Sequence, residues 1–244
     1  MKNKTVETLL ISSGLFLAFM AGSANLSAQT CDPKAYFSYV KDGEQVDREE
    51  QTAYSGSAPV TAYFEANPSD DDGYEAIYEW WIYPSTGSKE QYIVHHSGGE
   101  YQAIEYTFTQ SGSYVIALKV TFSNNSGSVD FPEVGEHTFT VSVAESKLEM
   151  PNAFSPNGDE YNEVYRAKPN HQSIVEFKVT IFNRWGQRLY SWDDVNGGWD
   201  GKVNGRVVPA GVYYVNVVAK GADGVEYKIR KDVNVLTSFK EKDE

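Results

Sequence analysis

The sequence predicts an all-β protein built from two consecutive β-sandwich domains behind a signal peptide that is removed. Apolar residues recur with period two in short runs bounded by Gly, Asn, Asp, Ser and Pro, the pattern of half-buried strands and tight turns. Tyr and Val are abundant, whereas Ala and Leu are comparatively scarce, as pleated, half-buried surfaces prefer. Removing residues 1–28 leaves roughly 215 residues, which accommodates two domains of about a hundred each.

The N-terminus has the layout of a secretory leader. Lys2 and Lys4 precede an apolar stretch from Leu9 to Met20, followed by the small residues Ala21, Gly22, Ser23 and Ala24, so cleavage is expected after Ala28 or Ala24. Ser12, Ser13 and Gly14 interrupt the apolar run, which is shorter than the roughly 20 residues a membrane helix needs. No other segment is long and apolar enough to span, so the mature chain is expected to pass the inner membrane and continue through the periplasm without inserting. Cys31 is the one cysteine, so no internal disulfide can form and the fold must rest on burial. Gln29 and Thr30 stand where a lipid-attachment signal needs small apolar residues, and Cys31 is expected as a reduced thiol able to link to another molecule.

Candidate strands of the first domain, residues 29–146, are Ala35–Val40, Val60–Glu65, Ala76–Tyr83, Tyr101–Thr109, Ser113–Phe122 and His137–Val143. The fifth is the clearest: Tyr114, Ile116, Leu118 and Val120 share one face, and Val115, Ala117, Lys119 and Thr121 the other. The net charge of −13 resides here: residues 29–148 sum to −13 and residues 149–244 to −1. Such acidity repels phosphate backbones, which excludes nucleic acid as an expected partner, and keeps an exported protein soluble.

Phe64-Glu65-Ala66, Tyr78-Glu79-Trp80-Trp81 and Tyr106-Thr107-Phe108, followed by the run Ser111 to Val120, resemble a PKD domain, an immunoglobulin-like sandwich. The resemblance implies that one Trp of the pair fills the core and that the Gly112 to Leu118 strand follows a tight turn. Pro84-Ser85-Thr86-Gly87 replaces the family's Gly-Asp-Gly turn. The architecture expected is therefore all-β, with two Ig-like β-sandwiches.

Catalytic and metal sets are thin. Adjacent His95 and His96 in a strand point to opposite faces, so they cannot ligate one ion with His137 and Glu100. Asp70-Asp71-Asp72-Gly73 lacks the alternating ligands of a calcium loop and reads as a solvated turn. Asn124-Asn125-Ser126 reads as a turn. No nucleophile elbow or triad is present, so the protein is expected to be non-enzymatic and to carry no cofactor.

The connector Ala144–Met150 is expected to be exposed, and residues 147–244 form the second domain. Its blocks are specific. Pro151-Asn152-Ala153-Phe154-Ser155-Pro156-Asn157-Gly158-Asp159 contains an Asn-Gly turn that Asp159 can brace. Phe177, Val179 and Ile181 share a strand face that ends near Asn183-Arg184-Trp185-Gly186, where Arg184 can stack on Trp185 or pair with Asp200. Trp199-Asp200-Gly201-Lys202 follows. Pro209-Ala210-Gly211 then opens a strand with Val212, Tyr214 and Val218 on one side and Tyr213, Val215 and Val217 on the other, which predicts cover on both faces. A compact sandwich of about seven strands is expected.

In order and spacing these blocks resemble the type B C-terminal sorting domain of Bacteroidetes type IX secretion cargo, also known as the gliding-motility-associated C-terminal domain. The resemblance implies that Pro151, Asn152, Phe154 to Asp159, Asn183 to Gly186, Trp199 to Gly201, Gly211 and Tyr213 form the sorting and recognition motif. It implies partners in the secretion machinery: an outer-membrane translocon, a shuttle, and a sortase-like protease that removes the domain from many cargoes. Delivery to the outer-membrane surface or the medium follows. Two functions are expected from this: a surface-delivered acidic Ig-like binding module, or a retained accessory or signalling component docking on an envelope partner. Glu160-Tyr161-Asn162-Glu163 departs from the Gly and Asn-Asp that the family places after Asp159. A charged tail, Thr237–Glu244, stands where the family ends on a Leu-rich strand, so removal and retention both stay open.

Overall fold

The computed structural model describes residues 29–41, 43–69 and 73–237. The expected signal peptide, the Asp70 to Asp72 turn and residues 238–244 of the tail lie outside the described residues. Among the described residues the protein is all-β, with one short 3-10 turn at Lys89–Gln91.

The first sandwich has two sheets. One runs β4 (Ala53–Gly56), β12 (His137–Val143), β10 (Gly112–Asn124), β7 (Glu75–Pro84) and β8 (Val94–Gly98), with β11 (Gly127–Phe131) also on β10. The other runs β3 (Glu44–Glu50), β2 (Lys34–Lys41), β5 (Val60–Glu65) and β9 (Ala103–Phe108). A two-residue pair, β1 (Thr30–Cys31) with β6 (Pro68–Ser69), closes one end. All six expected strands coincide with β2, β5, β7, β9, β10 and β12 to within two residues, β9 being shorter than expected at both ends. The parallel pairing of β4 with β12 is the sole exception to antiparallel pairing in this sandwich among the described residues.

Strand alternation sets the core. Leu118 lies opposite Trp80 and Ile116 opposite Ile82, and all four are fully buried with Phe37, Phe64 and Phe108. Trp80 points inward and donates its indole N–H to the Tyr101 carbonyl at 2.8 Å, as a buried Trp must. Trp81 points outward, stacked on His95 at 5.1 Å, while His96 stacks on Tyr101 at 4.7 Å. The two histidines therefore face apart, and no group of three potential metal ligands occurs among the described residues. Asn124 Oδ1 accepts the Ser126 amide at 2.8 Å, the expected turn. Cys31 is buried in this core, which corrects the expectation of a thiol presented to another molecule.

The second sandwich is built differently from the seven-stranded expectation. One five-stranded sheet runs β13 (Ala153–Phe154), β19 (Glu226–Val235), β18 (Gly211–Gly221), β14 (Ile174–Phe182) and β15 (Arg188–Trp192). Its facing layer is largely irregular chain, ordered by the hairpin β16 (Lys202–Val203) with β17 (Arg206–Val207) and a bridge from Tyr165 to Trp199. The sheet is covered on one face only. Tyr213, Val215 and Val217 are buried, whereas Val212, Tyr214 and Val218 are 47%, 48% and 49% exposed. Cover on both faces is thus corrected: an apolar run on both sides of a strand has no second layer to meet when the chain supplies only one.

Both sandwiches use the same device where a long strand begins. Tyr114 donates its hydroxyl to the Gln110 carbonyl at 3.0 Å, and Tyr213 donates to the Pro209 carbonyl at 2.8 Å. Each is the tyrosine corner of immunoglobulin-like sandwiches. Each follows a glycine two residues earlier, Gly112 at φ +139° and Gly211 at φ +148°, which side chains with a Cβ rarely adopt. Tyr114→Phe and Tyr213→Phe are each expected to lower unfolding free energy by about 1 kcal/mol, the net worth of one buried hydrogen bond. Denaturant titration checks this, and an unchanged midpoint would show that the corner bond contributes nothing.

Candidate functional site

Three of the four C-terminal motif blocks meet in one aromatic cluster. Phe154 from the first block lies 5.7 Å from Tyr165 and 5.4 Å from Trp199 between ring centroids, and Trp199 lies 5.8 Å from Tyr213. Such spacings add attraction beyond area burial. Trp199 is fully buried and donates its indole N–H to the Lys202 carbonyl at 3.0 Å. Tyr165, also fully buried, donates to the Pro151 carbonyl at 3.2 Å, and burial pushes its hydroxyl well above the ordinary tyrosine range.

Gly201 explains why Trp-Asp-Gly must follow this pattern. It sits at φ +75°, and a Cβ there would lie 2.7 Å from Pro156 Cγ and 3.4 Å from Phe154 Cε2. The turn carrying Asp200 is thus pressed against the first block. Asp200 Oδ1 accepts the Lys202 amide at 3.0 Å, and Oδ2 meets Lys202 Nζ at 2.9 Å. The Lys202 hydrogen bond holds the Asp200 carboxyl below its usual range. Asp200 therefore serves its own turn, and the pairing with Arg184 does not form.

The loop after Phe154 is self-braced. Ser155 is buried and its amide donates to the Asn162 carbonyl at 2.8 Å. Asn157 Oδ1 accepts the Asp159 amide at 3.0 Å, and Asp159 Oδ1 accepts that of Tyr161 at 3.1 Å. Glu163 Oε1 accepts the amides of Gly158 at 2.6 Å and Asp159 at 2.8 Å. Glu163, a departure from the family's pattern, thereby closes the loop. Asn152 receives a hydrogen bond from Lys231.

The fourth block behaves otherwise. Asn183 Oδ1 accepts the amides of Trp185 and Gln187, both at 3.0 Å, and Gly186 at φ +79° completes the turn. This fold presents Trp185 at 76% exposure, with the Arg184 guanidinium 4.4 Å above its ring. Trp and Arg are among the residue types enriched at interface hot spots. The uncovered face of the sheet starts from the same hairpin: Phe182 lies opposite Tyr214 and Lys178 opposite Val218 on one side of β18, while Arg230 lies opposite Asn216 and Lys228 opposite Val218 on the other. Tyr214 and Val218 were assigned to the interior from sequence, so this face was missed; their pairing with charged β19 residues was the available signal.

Two further features belong to the first sandwich. Edge strand β3 carries Glu44, Asp47, Glu49 and Glu50 outward, a charged edge that resists pairing with other chains. Between the sandwiches lies a cleft of about 870 Å³, lined by residues including Tyr39, Tyr54, Arg166 and His171. Much of its polar lining is engaged within the protein: the Tyr54 hydroxyl donates to Ser57, and burial pushes its pKa up to about 12, while the His171 ring contacts Lys168 and Asn196.

The motif residues thus knit one layer onto the other, while one turn and one face of the sheet remain open. Residues 148–229 match the family described as CHU_C Type IX secretion signal domain, and this part of the chain is a type IX secretion signal domain. No curated protein matches the chain. Among solved structures, dimeric latent PorU from Porphyromonas gingivalis is 13% identical, with 84% of this chain and 20% of that one covered, at a TM-score of 0.25. The Bacteroides ovatus SGBP-B in complex with a mixed-linkage heptasaccharide is 15% identical, with 75% and 42% covered, at 0.23. The chain spans a fifth and under half of those two lengths, and at these scores neither likeness bears on function.

Gly201→Ala is expected to destabilise the chain by roughly 2 kcal/mol, because it adds a left-handed backbone penalty to the Pro156 clash. Trp185→Ala is expected to change stability by less than about 0.5 kcal/mol. Thermal unfolding of both variants checks the division between a core motif and a presented one; equal losses would contradict it.

Proposed function

We propose that the protein is a non-enzymatic exported cargo that carries an acidic Ig-like binding module to the cell surface. The type IX secretion signal domain ties the chain to recognition by that machinery and to export. The finer reading is that a leader at residues 1–28 takes the chain across the inner membrane, and that the outer-membrane translocon then reads the folded second sandwich. The observation that carries it is the contrast within the motif: Phe154, Trp199 and Tyr213 are buried, while Trp185 stands exposed on a turn that Asn183 and Gly186 shape. Recognition is assigned to Arg184 and Trp185 together with Val212, Tyr214 and Val218 on the open face. Burying that apolar area against a partner is favourable at about 25 cal/mol per Å².

The second expected function, a retained accessory component docking on an envelope partner, is favoured by one feature: Leu148 and Met150 of the connector are buried in the second core. The same face would serve that docking.

The full chain with Trp185→Ala and Tyr214→Ser tests the assignment in cells with a working type IX pathway. Surface protein is expected to fall at least tenfold relative to the unaltered chain, with the excess in the periplasm and the melting temperature little changed. Unaltered surface levels would contradict it.

A further inference from the structure

The connector between the sandwiches, expected to be exposed, is so only in part: Glu145 and Lys147 face solvent, while Leu148 and Met150 turn inward. Leu148 and Met150 are 7% and 6% exposed and belong to the second core. Lys147 exchanges both backbone hydrogen bonds with Gln172, each at 2.9 Å, and the Lys168 amide donates to the Glu149 carbonyl at 2.9 Å. Lys147 and Gln172 thus form an isolated antiparallel bridge, and residues 147–149 lie alongside 168–172. Lys231 Nζ donates to the Met150 carbonyl at 3.0 Å, and Lys168 Nζ meets Glu149 at 2.9 Å. On the other side the Ala144 amide donates to Gly56 at 2.9 Å.

Ser146, at the centre, is clamped. Its amide donates to Asp223 Oδ2 at 2.9 Å, its hydroxyl contacts the Asp223 carboxylate at 2.8 and 2.9 Å, and the Tyr227 hydroxyl lies 2.8 Å from it. Partial burial alone would raise the Asp223 carboxyl, but the bonds from Ser146 and the Val225 amide outweigh it and hold the carboxyl below its usual range. Gly221 leaves space for this clamp, since a Cβ there would collide with Ser146 Oγ.

The bodies also seat on one another away from the connector. Ser173 is 2% exposed at φ +48°. Its Oγ accepts the Ala58 amide at 3.1 Å and its carbonyl accepts that of Ala222 at 2.9 Å. Ala222 in turn accepts the Ser111 amide at 3.0 Å. Ala222 and Val175, from the second sandwich's strand ends, pack in the first core. The first sandwich therefore offers an apolar seat ringed by the amides of Ala58 and Ser111, and the sorting sandwich fills it.

We infer that the junction at residues 144–151 is closed to endoproteases, so that the sorting sandwich is not released there and both sandwiches persist as one folded block. An endoprotease needs its substrate as an exposed, extended segment. Here that segment is tied by the Lys147–Gln172 bridge and the Ser146 clamp, and its Leu148 and Met150 side chains belong to the second core, so cutting requires that core edge to open first. The junction's geometry carries this independently of whether the proposed recognition face is correct, because it is read on purified protein without any secretion machinery.

The test is limited proteolysis of the purified mature chain with a broad-specificity protease, the cut sites read by mass. First cuts are expected in exposed loops such as Phe131 to Glu136, where Val134 is 86% exposed, with residues 144–151 cut at least tenfold more slowly. Leu148→Ala and, separately, Ser146→Ala with Asp223→Ala are expected to accelerate cutting within 144–151 at least tenfold. A first cut within 144–151 of the unaltered chain, at the rate of the 131–136 loop, would overturn the inference even if the variants do not fold. So would variants that fold and leave the junction rate unchanged.

Discussion

The second sandwich depends on the packing around Trp199. A single five-stranded sheet cannot bury its apolar face by itself, and the chain covers it with irregular segments that have few backbone pairings of their own. Those segments are pinned by aromatic side chains: Trp199 and Tyr165 pair across a bridge, Phe154 packs on both, and Tyr213 reaches them from the sheet. Each buried polar atom of these rings finds a carbonyl, from Lys202, Pro151 or Pro209. The glycine after Asp200 is required because Pro156 occupies the space a side chain would take. Most of the motif is therefore the means by which a one-sheet domain acquires a second layer.

Once that layer is fixed, what remains exposed acquires meaning. The Asn183 to Gly186 turn satisfies its own amides through one side chain, so it holds Trp185 outward without help from a neighbour. Beside it the sheet's open face offers Tyr214 and Val218 between charged strands. Exposed apolar surface, where it is contiguous, marks interaction sites. The first sandwich, by contrast, places charge at its open edge and fills its core as an immunoglobulin-like fold does, with Trp80 inside and a tyrosine corner at the head of β10.

Much of this was legible in the sequence. Period-two alternation located β5 and β12 to the residue and β10 to within two, because each has a clean apolar face. Strand β3 escaped notice because Glu44 to Glu50 holds a single apolar residue, Val46; pairing along an edge rather than burial makes it a strand. The dual-faced β18 was misjudged because alternation cannot tell a covered face from one kept apolar for a partner. The connector misled for another reason. Ser146, Lys147 and Glu149 look like a solvated link, and only the fold reveals that Leu148 and Met150 between them complete a core. The repeated Gly-x-Tyr at Gly112 and Gly211 was a signal of shared strand-start geometry, visible in sequence once the corner is recognised.

On the proposed reading, the motif divides into a buried frame and a presented surface that the secretion machinery contacts. The most direct measurement places a photo-crosslinking residue, in the full chain within secreting cells, at position 185, at 214, or at exposed Tyr161 on the opposite block's loop. Crosslinks to an outer-membrane component of the type IX machinery are expected from positions 185 and 214 and none from 161. Crosslinks from 161 alone would contradict it.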